Sequence, residues 1–100
     1  MHRTFNTSEE IGKLVAAERL IQGVTQEELA GLSGVSPSFI GDLEAGKPRT
    51  ELNRTLQVLN ALGLSLTVDV SDATAERLDQ PYQGRRRVAT TGRAASKAPR

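Results

Sequence analysis

Apolar residues recur three and four positions apart in short stretches between residues 7 and 62, which is the spacing of amphipathic helices. The longest such stripe contains Leu52, Leu56, Leu59 and Leu62. Glycines separate the stretches, and each stretch opens near a serine or threonine that can cap a helix, with Thr50 as the predicted cap of the last one. The pattern therefore predicts a small all-α bundle of four to five helices.

Residues 25–46 predict two short helices joined by a tight turn. Thr25 and Glu28 have the spacing of a capping box, which would start the first of these helices. Ser36 followed by Pro37 marks the start of the second helix, because a capping side chain is followed by a proline at the first helical position. A helix-turn-helix is therefore the element around which we expect the chain to fold.

The turn between these helices carries residues that specify a family. Two helices joined so closely must cross steeply. This crossing requires a small residue on the first helix and, in the turn, a residue that accepts an unusual backbone conformation. Ala30 and Gly34 meet these two needs, and Ile40 fills the joint. Counted from Gln26, the three residues stand at offsets 4, 8 and 14. This spacing resembles the helix-turn-helix of the phage repressor/Cro (Xre) family, with the motif over about residues 26–45.

A longer span, Ile11 to Val70, resembles the HipB-like antitoxins within that family. The similarity is carried by IGKLV before the motif, SPSFIGDLEAGKP within it and LQVLNALGLSLTV after it. The resemblance implies a lambda-repressor-like bundle that represses its own operon and neutralises a partner kinase toxin. It also implies a phosphate contact at Gln26 and a structural ion pair between Arg19 and Glu44. A direct DNA contact by the arginine is the alternative interpretation.

Residues 64–70 alternate between apolar and polar side chains, which is the pattern of a β-strand. One strand cannot make a sheet, and an unpaired edge leaves backbone N–H and C=O groups without partners. We therefore predict that the domain over residues 1–70 ends in a C-terminal strand used for dimerisation. In the predicted two-fold homodimer, each copy contributes this strand to an antiparallel pair. The predicted dimerisation residues are Leu64, Leu66 and Val68.

Charge is divided unevenly along the chain. Residues 1–70 hold six basic and nine acidic residues, whereas residues 71–100 hold seven basic and three acidic ones. Because the folded part is acidic overall, attraction to phosphate must come from a few basic side chains that lie together on its surface, or from the basic residues of the tail. The composition of residues 71–100 predicts a flexible basic tail, within which a short helix near Ala73 to Leu78 is allowed. Its run of arginines, Arg85 to Arg87, suits either DNA or an acidic partner.

The composition offers little for catalysis. The chain contains no cysteine and a single histidine, His2, so thiolate chemistry and a zinc finger are excluded. Residues 41–47 match the glycine and lysine spacing of a phosphate-binding loop, but Pro48 stands where serine or threonine should bind magnesium. No signal peptide and no segment of transmembrane length is present. We expect no enzyme, cofactor, metal or membrane association, and a cytoplasmic protein that joins the nucleoid when bound to DNA.

In this motif the second helix lies in the major groove with its N-terminal residues towards the base edges. Ser38 can bond to several bases and Asp42 can accept from cytosine N4, while Phe39 either contacts a thymine methyl or packs against the neighbouring loop. Arginine, lysine, glutamine and asparagine are missing from this face, so phosphate contacts and DNA shape should supply much of the specificity. The predicted DNA-binding residues are Thr25, Gln26, Ser36, Pro37, Ser38, Phe39, Asp42, Lys47, Arg49 and Thr50.

These observations lead to three hypotheses about function. The first is a sequence-specific repressor that binds double-stranded operator DNA as a homodimer and, as the resemblance implies, is the antitoxin of a HipBA-like operon with a HipA-like kinase toxin as its partner. The second is a stand-alone Xre-type regulator, which the absence of a neighbouring kinase gene would favour. The third is a protein-interaction module on a degenerate helix-turn-helix, which would show no salt-dependent binding to duplex DNA.

Overall fold

The structure, a computed structural model, describes residues 1–81, and this part of the chain contains five helices and no strand. It divides into two compact units, residues 1–67 and the segment from residue 68 onward. The predicted all-α fold of four to five helices is confirmed. The helices are α1 (Ser8–Gln22), α2 (Gln26–Ser33), α3 (Pro37–Glu44), α4 (Leu52–Ala61) and α5 (Asp72–Leu78).

The first three helices begin where side chains cap them. Thr7 and Thr25 each form a capping box, and the hydroxyl of Thr25 accepts a hydrogen bond from the Glu28 backbone N–H at 3.0 Å. Ser36 caps α3 in the same way, and Pro37 occupies the first helical position. Each cap satisfies backbone donors that the helix itself leaves unpaired, so the sequence determines these boundaries locally.

Helix α4 begins differently from the prediction. Its N-cap residue is Glu51 rather than Thr50, and no side-chain cap hydrogen bond forms there in the described structure. The Glu51 carboxylate instead pairs with Arg54 one turn later, at 3.0 Å. The predicted leucine stripe is also displaced, because Leu52 at the first position is exposed. The buried positions of α4 follow helical spacing further along: Thr55, Val58 and Leu59, with Leu62 just after its end.

The core of the first unit lies where α1, α2, α3 and α4 meet, with α3 against both α1 and α2, and α4 against α2. Burial of these side chains supplies the main force that holds the helix-turn-helix in place. The buried apolar residues are Val15, Leu29, Ala30, Ile40, Leu43, Val58, Leu59 and Leu62.

Helix α1 lies close to the backbone of α3 at Gly12. A Cβ atom on this glycine would collide with the Leu43 carbonyl oxygen and would lie 2.9 Å from the carbonyl oxygen of Glu44. A second contact lies just beyond the same end of α3, where the Ser8 hydroxyl donates to the Gly46 carbonyl at 3.1 Å. The position of the C-terminal end of α3 therefore depends on two contacts with α1, one between backbones at Gly12 and one from the Ser8 hydroxyl.

The strand predicted over residues 64–70 was wrong as a feature of the described chain. Residues 64–71 form no regular secondary structure. A strand is stabilised by ladder hydrogen bonds to a neighbouring strand, and no such neighbour is present in residues 1–81. Leu64 packs against the core, while Leu66, Val68 and Val70 remain exposed.

The second unit contains α5, the short helix that the sequence allows near Ala73 to Leu78. Ser71 caps it by accepting a hydrogen bond from the Thr74 backbone N–H at 3.2 Å, and none of its residues is buried. The remainder of the predicted tail, including Arg85 to Arg87, falls in residues 82–100, which lie outside the described residues. No helix in the described part is sufficiently long and apolar to cross a membrane.

Candidate nucleic-acid interface

Helix α3 presents its polar side to solvent. Ile40 and Leu43 are buried, so the opposite side carries Ser38 and Asp42, which are four residues apart and therefore neighbours on one face. Ser38 is exposed and Asp42 is partly exposed. Phe39 lies at the edge of this face and packs against the core cluster while remaining half-buried. The part of α3 that is free to enter a groove is therefore short and polar.

The N-termini of α2 and α3 offer backbone donors to an anion. The first N–H groups of a helix have no partner within the helix, and the helix dipole favours negative charge at this end. The hydroxyl oxygens of Thr25 and Ser36 accept cap hydrogen bonds at 3.0 Å, from Glu28 and Phe39 respectively. A hydroxyl that accepts can still donate, so both cap residues remain able to bond to a phosphate oxygen.

Gln26, at the start of α2, belongs to a hydrogen-bonded cluster that joins three helices. Its side-chain amide donates to Glu44 Oε1 at 2.9 Å, and Arg19 donates to both oxygens of the same carboxylate, at 2.7 and 3.1 Å. Arg19 also donates to the carbonyl of Val24 at 2.9 Å. The structure thus brings Arg19, Glu44 and Gln26 together, and the cluster connects α1, α2 and the end of α3.

The two charged members of this cluster are largely withdrawn from water, with side-chain exposures of 14% for Arg19 and 9% for Glu44. Burial by itself would raise the pKa of Glu44, but the hydrogen bonds from Arg19 and Gln26 outweigh it and hold that pKa below its ordinary value. The hydrogen bond to Glu44 raises the pKa of Arg19. Both groups are therefore ionised at neutral pH, and Gln26 is oriented by a charged acceptor.

The loop after α3 begins with a Schellman turn at Gly46. The glycine has φ +78°, its N–H bonds to the Leu43 carbonyl at 3.0 Å, and the Lys47 N–H bonds to the Asp42 carbonyl at 3.1 Å. This turn brings the Lys47 side chain back to α3, where its Nζ lies 3.1 Å from Asp42 Oδ1. This ion pair was not predicted from the sequence. A glycine just after the helix, followed directly by a lysine, is the pattern that could have indicated it.

The remaining predicted DNA-binding residues follow in the same loop. Arg49 is exposed and forms no ion pair within residues 1–81, and Thr50 is half-buried. The predicted residues therefore lie in three segments of the chain: the start of α2, the outward side of α3 and the loop after it. The same residues 1–81 contain no group of acidic or histidine side chains that is suited to a metal ion.

Comparison with known proteins agrees with this geometry. The helix-turn-helix family HTH_3 matches residues 15–68. An uncharacterised HTH-type transcriptional regulator of Sinorhizobium fredii (strain NBRC 101917 / NGR234), y4mF, is 46% identical over 68 residues, which is 68% of this chain and 90% of that protein. The chain belongs to this helix-turn-helix family.

Solved structures of HipB have the same fold. HipB in a complex with HipA, O2 and O3 matches 71% of this chain and 100% of its own, with a TM-score of 0.65 and 24% identity. HipB in a complex with an O4 20mer gives a TM-score of 0.64 at the same identity, and covers 71% of this chain and 100% of its own. The chain is therefore an Xre-type helix-turn-helix protein with a HipB-like fold.

Proposed function

We propose that the chain is a sequence-specific DNA-binding repressor and the antitoxin of a HipBA-like operon. The observation that carries DNA binding is the open polar side of α3, which lies beside the donor-rich N-termini of α2 and α3. The relative y4mF, named as a transcriptional regulator, supports the regulatory role. The fold shared with HipB in its complex with HipA supports a HipA-like protein as partner. The protein would act in the cytoplasm, on the operator of its own operon.

In the proposed complex α3 lies in the major groove, as the second helix of this motif does. Ser38 and Asp42 then face base edges, where serine bonds to several bases and an aspartate accepts from cytosine N4. Gln26 and the N-terminal N–H groups of α2 and α3 contact phosphates. Lys47 and Arg49 contact the phosphate backbone beyond the end of α3. Base-specific contacts are few in this arrangement, so DNA shape contributes to the choice of site.

The loop cations provide a direct test of this docking. A duplex selected by the protein from a pool of randomised sequences serves as the probe, and its affinity is measured as a function of salt concentration. Lys47→Ala and Arg49→Ala should each weaken binding and flatten the slope of log affinity against log salt by about one unit, because one phosphate contact is lost. Lys13→Ala removes an exposed lysine outside the predicted set and should leave the slope unchanged. Unchanged slopes for both loop variants would mean that this docking is wrong.

The antitoxin role requires a second experiment. The product of the kinase gene next to this one, if the genome has such a gene, is purified and mixed with the protein and the selected duplex. A ternary complex, together with loss of kinase activity, would support the antitoxin. DNA binding without a complex would indicate the stand-alone regulator. A complex with the kinase but no salt-dependent binding to any duplex would indicate an interaction module.

We also propose a homodimer held by the apolar segment after α4. Leu66 is 64% exposed and belongs to the predicted dimerisation set, with Leu64 and Val68. A second copy would cover the exposed Leu66 and Val68, next to Leu64 on the core, and two-fold symmetry would present two α3 helices to two half-sites. Full burial of one leucine contributes about 1.5–3 kcal/mol.

Leu66→Lys replaces the leucine in both copies, so it should raise the dissociation constant of the dimer by roughly a hundred-fold or more and abolish tight binding to a two-half-site duplex. Sedimentation at micromolar concentration and binding to the selected duplex measure the two effects. Leu32→Lys is the matched control, because Leu32 is 69% exposed at the end of α2 and lies outside the segment. A wild-type protein that sediments as a monomer at micromolar concentration would exclude the proposed dimer.

A further inference from the structure

An ion pair occupies the outward side of α3. Asp42 Oδ1 lies 3.1 Å from Lys47 Nζ, and the two side chains are 47% and 63% exposed. The backbone fixes their proximity, because the Lys47 N–H bonds to the Asp42 carbonyl in the Schellman turn. A side chain that faces bases in the proposed complex is thus paired with one that faces a phosphate.

This pairing has opposite consequences for the two partners. Lys47 cannot neutralise a phosphate fully while it neutralises Asp42, so the pair weakens the attraction that is independent of sequence. The carboxylate of Asp42 only accepts hydrogen bonds, and in the major groove only the amino groups of cytosine and adenine donate. Where guanine or thymine faces α3, the base edge presents acceptor atoms to this carboxylate. Repulsion between the acceptors and the carboxylate would keep Asp42 paired with Lys47.

We propose that Asp42 couples base readout to phosphate contact by exchanging partners. On DNA without a facing amino group, Asp42 stays paired with Lys47 and masks its charge. At a site where a cytosine amino group faces α3, the carboxylate accepts from the base and Lys47 is released to a phosphate. The inference rests on the proposed function and assigns to Asp42 a specificity-determining role at the same site.

The exchange is energetically accessible. Exposed ion pairs contribute little to stability, because water already solvates both charges and salt screens their attraction. The lysine side chain is long and flexible, so it can leave the carboxylate without moving the backbone of the Schellman turn. Ser38, one turn before Asp42 on the same side, contacts a base in either state and does not control the lysine.

The salt dependence of binding separates the two states. Wild type, Asp42→Asn, Lys47→Gln and the double variant are measured on the selected duplex and on a scrambled duplex of equal composition. For the wild type, the slope of log affinity against log salt should be steeper by about one unit on the selected duplex than on the scrambled one, because Lys47 is released only on the selected duplex. Asp42→Asn should steepen the slope on the scrambled duplex by about one unit and tighten that binding several-fold. Lys47→Gln should remove the difference in slope between the two duplexes. It should also remove the steepening that Asp42→Asn causes on the scrambled duplex, so the double variant should behave like Lys47→Gln alone.

Base preference gives an independent result. A repeated selection with Asp42→Asn should replace a cytosine of the wild-type consensus by an adenine, since asparagine bonds well to adenine N6 and N7. Ser38→Ala is the matched control on the same side of α3, and it should change preference without changing either slope. Unaltered binding of Asp42→Asn to the scrambled duplex would overturn the proposed exchange while leaving DNA recognition intact. Failure of the wild type to bind or select any duplex would overturn both.

Discussion

Gly12→Ala should lower the free energy of unfolding by about 3 kcal/mol or prevent folding, although alanine is the better helix former. A methyl group at this position meets the Leu43 carbonyl oxygen and lies 2.9 Å from that of Glu44. Both obstacles are backbone atoms, so the clash is relieved only if α1 moves away from α3. Such a movement also shifts the helix proposed to enter the major groove. Urea unfolding followed by circular dichroism measures the loss.

Gly31→Ala is the matched control for this substitution. Gly31 lies in α2, and a Cβ atom there would have no neighbour within 4 Å. Only helix propensity acts at this position, so the substitution should stabilise the protein by up to about 1 kcal/mol. The two substitutions are chemically identical and should have opposite effects. Equal stability of Gly12→Ala and the wild type would mean that α1 and α3 are not in backbone contact.

Local chemistry explains which parts of the fold were predictable. A cap depends on residues three positions apart, so Thr25 with Glu28 and Ser36 with Pro37 indicated the starts of α2 and α3 correctly. The turn spacing of Ala30 was equally local. Gly12 shows the limit of this approach, because a glycine within a helical pattern reveals its role only when the opposing backbone is known.

The errors arose where residue type or alternation did not specify which groups pair with one another. Alternation over residues 64–70 describes which side chains share a face, but a strand also needs a partner, and the described residues supply none. The Thr50 cap was predicted from residue type, whereas the observed start of α4 has Glu51 paired with Arg54. In the site, the docking of this motif predicts that Asp42 faces the bases and Lys47 a phosphate. Their mutual ion pair followed from the geometry of the Schellman turn.

Arg19→Met should reduce the free energy of unfolding by about 3 kcal/mol at neutral pH, the lower end of the cost of unpairing a buried ion pair, because this pair is part-buried. Glu44 would keep only the hydrogen bond from Gln26, with its side chain 9% exposed. The variant should also bind DNA more weakly, because the cluster joins α1 to α2 and α3. Arg54→Met is the matched control: it breaks an exposed pair with Glu51 and should cost less than about 1 kcal/mol.

The pH dependence of this loss identifies its cause. In the wild type the pKa of Glu44 lies below its unfolded value of about 4.3, so the pair stabilises the fold above that pH, and the contribution disappears as the pH falls through the folded-state pKa. In Arg19→Met, burial without the arginine raises the pKa of Glu44, so protonation relieves the unpaired charge. The difference between wild type and variant should therefore be largest near neutral pH and should narrow on acidification. A difference that stays constant from pH 7 to about pH 3 would show that the arginine stabilises the fold by packing, and not by compensating the charge of Glu44.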